Sequence, residues 1–260
     1  MSSTRPAGAQ RHVEHCMGTV FSIDIRRPGV GAEVVADMVR WLHWVDATFS
    51  TYQSSSEVSR LRRQELTLPQ CSPEVRTVLG MAAQIEAATG GYFSIYPNGV
   101  LDPSGLVKGW AIEQASNLLQ LAGSTSHCLN GGGDVQCVGN YDGGDWRIGI
   151  ADPHRRTDVA AVVAGTDLAV ATSGTAERGP HILDPHDGSA VTELASLTVV
   201  GSGITLTDAY ATAGFAMGLA AIDWLEGLAG FQALAITRDG ERRTTSGFRT
   251  AAPPPVTARH

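Results

Sequence analysis

Three consecutive glycines, Gly131 to Gly133, sit in the run LNGGGDV between two strand-like stretches, His127 to Leu129 and Val135 to Val138. Glycine clustered in this way frees the backbone for turns and lets amide groups approach a ligand closely. Two readings are open at this point. The plainer one is a tight glycine turn joining two strands. The other is a cradle in which the amides of Gly132 and Gly133 hold a phosphate, with Asn130 and Asp134 bonding locally. The run is neither of the common nucleotide loops: no G-x-x-x-x-G-K-[ST] occurs in the chain, and no G-x-G-x-x-G follows a strand.

Helical and extended patterns surround this turn without a strict strand-helix-strand rhythm. Val34, Val35, Met38, Trp41, Leu42 and Val45 recur at helical spacing and predict a helix over 32–49, after one extended segment from Val13 to Ile25. Ser72-Pro73-Glu74 opens a second helix through Ala88, stopped by Gly90-Gly91. A third helix is expected over 108–121, ended by Gly123. Short strands follow at Trp146 to Ile150, Val159 to Val163, Leu168 to Val170 and Leu197 to Val200, then helices at 208–218 and 221–228 and a strand at Ala233 to Thr237. This mixture predicts the α+β class in a single compact unit. The segments 1–10 and 251–260 carry no periodic pattern and are expected to be flexible tails around a domain at 11–250.

With 43% hydrophobic and 17% charged residues the chain has the composition of a folded globular protein. A formal net charge of -7 and the lack of a basic cluster exclude a phosphate-backbone footprint, so no nucleic acid is expected as partner. Cys16, Cys71, Cys128 and Cys137 form no C-x-x-C pair and read as reduced, mostly buried thiols. No apolar run approaches membrane-spanning length and no secretory leader precedes His15, which together predict a soluble, cytoplasmic protein.

Three further segments could carry chemistry. In LDPSGLVKGWA, Asp102 and Lys108 bracket Gly105 at the mouth of the third helix, either as an anion site or as an ordinary helix start with a solvated lysine. In TDAYAT, Asp208 and Thr212 lie four residues apart and share a helix face, which suits a hard cation such as magnesium; the alternative is that Asp208 caps a helix of small residues. His181 precedes Asp184-Pro185 and could accept a proton from a hydroxyl near neutral pH, as could many histidines that do not. Ser173-Gly174 lacks the G-x-S-x-G spacing, so a serine hydrolase is rejected.

In chain order the blocks MGTVF (17–21), STY (50–52), SEVSRL (56–61), TGGYF (89–93), LDPSGLVKGWA, LNGGGDV, WRIGIADP (146–153), VATSG, HILDPHDG and LTDAYATA (206–213) resemble the ApbE-type FAD:protein FMN transferases, over about His15 to Phe248. Such enzymes cleave FAD and attach its FMN half to a Thr or Ser hydroxyl of an acceptor flavoprotein. The resemblance implies an ApbE-like α+β fold related to the tunnelling fold. It implies a flavin site at Met17 and Tyr52, with Asp102 and Lys108 toward the nucleotide. It further implies magnesium on Asp208, Thr212 and the carbonyl of Gly105, with His181 beside the scissile pyrophosphate as base for the incoming hydroxyl. Magnesium and Lys108 would stabilise charge on the phosphoryl oxygens while AMP leaves. Two features depart from the family pattern: Ser94 to Leu101 runs almost directly into the Asp102 block, shortening the expected adenine pocket, and Gly131 stands where the family has NAGGD. Hydrolysis of FAD to FMN and AMP, or non-enzymatic FAD storage, are the competing outcomes. Retention of Asp208, Thr212, Lys108 and His181 argues against storage.

Overall fold

In the computed structural model, which describes residues 9–26, 30–140, 144–155, 157–175 and 182–252, the chain lays down ten strands and six α-helices. They are β1 (Gln10–Cys16), β2 (Thr19–Ile25), α1 (Ala32–Phe49), α2 (Glu57–Arg62), α3 (Pro73–Ala88), α4 (Ser104–Leu121), β3 (His127–Gly131), β4 (Asp134–Val138), β5 (Trp146–Ala151), β6 (Val159–Gly165), β7 (Leu168–Gly174), β8 (Leu194–Gly201), α5 (Ile204–Met217), α6 (Ala221–Glu226), β9 (Gln232–Thr237) and β10 (Arg242–Thr244). Eight strands form one antiparallel sheet in the order β1-β2-β3-β4-β7-β8-β9-β10, while β5 and β6 pair with each other in a separate hairpin. The fold is α+β, as the mixed pattern predicts.

Strand alternation sorts side chains onto two faces of the large sheet. On one face Phe21, Ile23, Ile25, Leu129, Ala169, Ala171, Leu197, Val199, Ala233 and Ala235 join the helices in the main core. Alanines on β7 and β9 leave room there for α5, whose interior residues are nearly all buried. On the opposite face Val135, Cys137, Leu168, Val170, Leu234 and Ile236 pack under the β5–β6 hairpin through Ile150, Ala160 and Val163. The molecule is thus a helical layer, a sheet and a covering hairpin.

An aromatic group fixes α4 against α1: Trp41 meets Trp110 with centroids 5.1 Å apart, Phe49 meets Trp110 at 5.5 Å, and Trp41 Nε1 donates to Ala111 O at 3.2 Å. Removing Trp110 would cost about 3–5 kcal/mol by the usual measure of aromatic truncation in a core. That contact matters because α4 carries Lys108.

Several sequence expectations change in detail. The segment from Val13 to Ile25 is two strands rather than one, folded back at Met17-Gly18, where both residues have positive φ (51° and 67°) and make a two-residue hairpin turn. The third helix begins at Ser104 instead of Lys108, and β8 begins at Leu194. The six-residue α2 and the short β10 were not foreseen; α2 is started by Ser56, whose hydroxyl accepts from Ser59 N at 3.0 Å. Most of the two expected tails lies outside the described residues; Gln10 already belongs to β1, and Ala251 N donates to Val162 O at 2.7 Å. Among the described residues no helix is long and apolar enough to cross a membrane. All four cysteines are free thiols; Cys128 is half-buried and the other three are buried.

Candidate active site

The β3–β4 turn places Gly132 and Gly133 at the ends of their strands with φ of 61° and 96°, conformations a side chain would strain. Gly132 N donates to Val20 O at 3.2 Å, and Asn130 Oδ1 accepts from Gly133 N at 3.0 Å. The run is a tight strand connection whose two amides bond within the turn, so neither is free for the phosphate of the second reading; Asn130, Gly132 and Gly133 still line a cleft of about 1980 Å³. Met17, Tyr52, Asp102, Gly105 and Lys108 line the same cleft, as do Asp208 and Thr212.

Tyr52 is 98% exposed, on a turn shaped by Ser50, whose hydroxyl accepts from the amides of Tyr52 and Gln53 at 3.2 Å each. An aromatic ring so exposed at a cleft mouth is available to stack on a planar ligand. Met17 is held in a left-handed conformation that costs a non-glycine residue on the order of 1 kcal/mol.

Asp102 Oδ1 accepts from Ser104 N at 3.0 Å just ahead of α4, whose N-cap is Pro103. Lys108, two turns on, is not a solvated lysine. It forms an ion pair with Asp134 and stands 4.0 Å from Asp208 Oδ2. The side chains of Asp134 and Asp208 are only 2% and 7% exposed, and that of Lys108 27%. Burying carboxylates costs several kcal/mol each unless opposite charge compensates, and Lys108 supplies that charge to both. Asp134 also accepts from Thr172 N at 3.2 Å through Oδ1. It lies beneath Lys108 without lining the cleft, so its part is to hold the lysine.

Asp208 lies in the second turn of α5, whose N-cap is Gly203, and so does not cap the helix. Four residues on, Thr212 Oγ1 approaches Ser173 Oγ at 3.4 Å. Helices α4 and α5 come this close because residue 109 is glycine: a Cβ there would stand 2.9 Å from Ile204 O and 3.0 Å from Asp208 Cβ. Gly109 is a site-building residue that the sequence reading did not single out, and Thr172 and Ser173, which it weighed only in rejecting a serine hydrolase, help to build the site as well. Their signal was present in K-G-W and A-T-S-G, but only the crossing of α4, α5 and β7 gives it meaning.

Residues 17–100 and 95–235 match the family model described as the ApbE family. The chain belongs to the ApbE family. The two matched stretches meet where Ser94 to Leu101 runs into Asp102. The chain is 24% identical over 265 aligned positions to the FAD:protein FMN transferase of Vibrio cholerae serotype O1, covering 78% of this chain and 79% of that relative. It is 35% identical over 121 positions to the FAD:protein FMN transferase of Rhodobacter capsulatus, covering 44% of this chain and 23% of that much longer relative. Its fold is that of the flavin transferase ApbE from Vibrio cholerae (TM-score 0.81, 24% identity, 93% and 98% of the two chains). It is also that of the ApbE protein from Thermotoga maritima (TM-score 0.80, 21% identity, 92% and 97%).

Within this ApbE fold the expected site residues among those described line one cleft, except Asp134, which lies beneath it against Lys108. His181 lies outside the described residues. The chain continues from it into Ile182 to Asp184, which line the cleft. His186 anchors this loop: its Nδ1 is 2.8 Å from Asp184 Oδ1, its Nε2 is 3.0 Å from Gly90 O, and its ring meets Tyr92 edge-on at 4.4 Å. Both partners are acceptors, which favours the imidazolium and raises the pKa of His186, chiefly through Asp184. Among the described residues no group of three or more His, Cys, Asp or Glu gathers as a metal site. The donors expected here are of another kind: a carboxylate, a hydroxyl and a backbone carbonyl.

Proposed function

We propose that this chain is a magnesium-dependent FAD:protein FMN transferase. What carries the reading is the Lys108–Asp134–Asp208 group, of which Lys108 and Asp208 line the same cleft as Thr212 and the Gly132-Gly133 turn in a chain of the ApbE family. A binding pocket alone has no use for two buried carboxylates around a lysine beside paired hydroxyls.

The residues present fit a hard cation. Asp208 and Thr212 offer a carboxylate and a hydroxyl from one face of α5, and Gly105 in the first turn of α4 offers its carbonyl from the same cleft. Magnesium held there would neutralise negative charge on the pyrophosphate oxygens of FAD. Lys108, fixed by Asp134, donates to the same phosphoryl oxygens. Tyr52 and Met17 take the flavin ring, and Asp102 lies toward the nucleotide. His181 accepts the proton of the acceptor Thr or Ser hydroxyl. The hydroxyl oxygen bonds to the FMN phosphorus, the bond from that phosphorus to the bridging oxygen breaks, and AMP leaves with that oxygen.

The test is to incubate the chain with FAD and magnesium, with and without Thr-containing acceptor peptides, and to follow AMP release and peptide mass. Stoichiometric AMP and a mass gain equal to FMN are expected. AMP release unaffected by any acceptor, with free FMN as co-product, would replace transfer by hydrolysis.

A further inference from the structure

The cleft is about twice the size of the roughly 300–1,000 Å³ typical of pockets that enclose one small molecule. Strand β5 lines it along its whole length. All six residues of this strand, Trp146 to Ala151, line the cleft, although they alternate between its two faces. A cleft that touches both faces of a strand in succession is in contact with the strand's edge.

The hydrogen bonds of the hairpin show which groups that edge presents. Ala160 O accepts from Arg242 Nη1 at 2.9 Å and Val162 O accepts from Ala251 N at 2.7 Å, so these two carbonyls point out of the β6 side of the hairpin. The N–H and C=O of one residue in an antiparallel strand point the same way, and successive residues alternate. Ala161 and Val163 therefore face β5, where their partners are Ile150 and Ile148. Arg147 and Gly149, opposite Ala164 and Val162, turn their N–H and C=O groups the other way, into the cleft. The β6 side is capped, whereas the β5 side has no strand partner among the described residues.

The edges of the large sheet are guarded differently. β1 carries Arg11, His12, Glu14 and His15, and β10 is three residues long with Arg242 and Arg243. Charge and shortness are the usual protections against strand addition. In β5 Arg147 is the single charged residue, there is no proline, and Gly149 presents bare backbone.

We infer that the cleft-facing edge of β5 docks the acceptor: an extended segment bearing the target Thr or Ser adds to β5 as a third strand, bonded to the backbone of Arg147 and Gly149. This deepens the transferase reading and rests on it. The occupant follows from continuity, since one cleft holds both this edge and the Lys108–Asp208 group, and a strand edge pairs with a segment in extended form. Strand addition supplies affinity through main-chain bonds and leaves the choice of sequence to side chains.

The test uses Gly149→Pro, which removes an N–H that β6 does not use, and Gly149→Ala, which restores it. An added Cβ at 149 meets Val159 at 3.6 Å, an ordinary contact. A library of short peptides, each with one Thr, is incubated with the wild-type chain, FAD and magnesium, and an FMN-labelled peptide is kept as probe. Gly149→Pro is expected to lower kcat/KM for that peptide by roughly tenfold or more, with FAD affinity unchanged by flavin fluorescence, and Gly149→Ala is expected to recover it. Wild-type labelling by Gly149→Pro, or equal loss of FAD affinity, overturns the docking site and leaves the transferase reading standing. A library in which no peptide is labelled overturns both. If Gly149→Pro does not fold, hydrogen exchange on the wild-type chain decides: the probe peptide should slow exchange at the amides of Arg147 and Gly149, and unchanged exchange there sinks the proposal.

Discussion

Two charged groups in this molecule are built from similar parts and are set in opposite surroundings. At the centre, Lys108 lies between the buried carboxylates of Asp134 and Asp208. Near the β1 edge, Glu14 lies between His12 and His43, at 3.0 and 2.9 Å, in partial contact with solvent. Coulomb attraction in water is small and screened, while in a desolvated site it is large and so is the cost of disturbing it. The comparison teaches that burial, more than the number of ion pairs, decides where this fold commits its electrostatics to chemistry.

The largest effect should come from Asp208→Asn, which keeps the shape of the side chain and removes its charge. AMP release from FAD is expected to fall by about 10²-fold or more, because loss of a group stabilising phosphoryl charge typically has that size. Excess magnesium should not restore it. A variant within a factor of a few of wild type would break the comparison at its functional end.

Lys108→Met comes next and separates charge from packing. It should destabilise the fold by about 3 kcal/mol, since it withdraws the ammonium from Asp134 and Asp208, which in a chain of this size lowers Tm by roughly 10 °C. Lys108→Met with Asp134→Leu should recover much of that stability and none of the turnover. If the double variant melts no higher than the single one, Asp134 is held by something other than Lys108.

How much of this was legible in the sequence differs between the two regions. The helices 32–49 and 73–88 were readable because apolar spacing and the Ser72-Pro73 start are local signals. Gly131 to Gly133, Asp208 and Lys108 stood out because their residue types are unusual at those spacings. The hairpin at Met17-Gly18 was missed because Met at positive φ violates the usual turn preference. Gly109, and the part Thr172 plays, were missed for another reason. Gly109 matters because α5 passes within 3 Å of where its Cβ would be, and Thr172 because its amide meets Asp134, 38 positions away in the chain. Neither contact leaves a periodic trace.

A third buried titratable group sharpens the comparison without any role in the cleft. His127 is fully buried on β3, with Nε2 2.8 Å from Ser116 Oγ and Nδ1 2.9 Å from Ser124 Oγ. Burial pushes its pKa down to about 4, well below the ordinary imidazole value of 6.5. The unfolded chain therefore binds a proton at a pH where the folded chain does not. The stability contributed by neutral His127 is complete above about pH 6.5 and is lost as pH falls toward 4, a loss of about 3 kcal/mol. Melting curves from pH 7 to 4.5 should show a steeper fall for wild type than for His127→Gln. Parallel curves would mean that the imidazole is protonated inside the fold.

The smallest effect belongs to Glu14. Hydrogen bonds from His12 and then His43 hold its pKa below the usual carboxylate value. The sign is opposite to that of a group raised by its partners: the contribution is present above the unfolded carboxylate pKa and disappears as pH falls through the lowered one. Because the group faces solvent, Glu14→Gln should cost at most about 1 kcal/mol near neutral pH. Its remaining long-range part should shrink further in strong salt, where the screening length is only about 3 Å. The same salt should leave the Lys108→Met penalty nearly intact, since no ions reach Asp134. A Glu14→Gln penalty as large as that of Lys108→Met, and as indifferent to salt, would show that β1 and α1 are locked by this carboxylate, and the distinction between a working buried group and an incidental exposed one would fail.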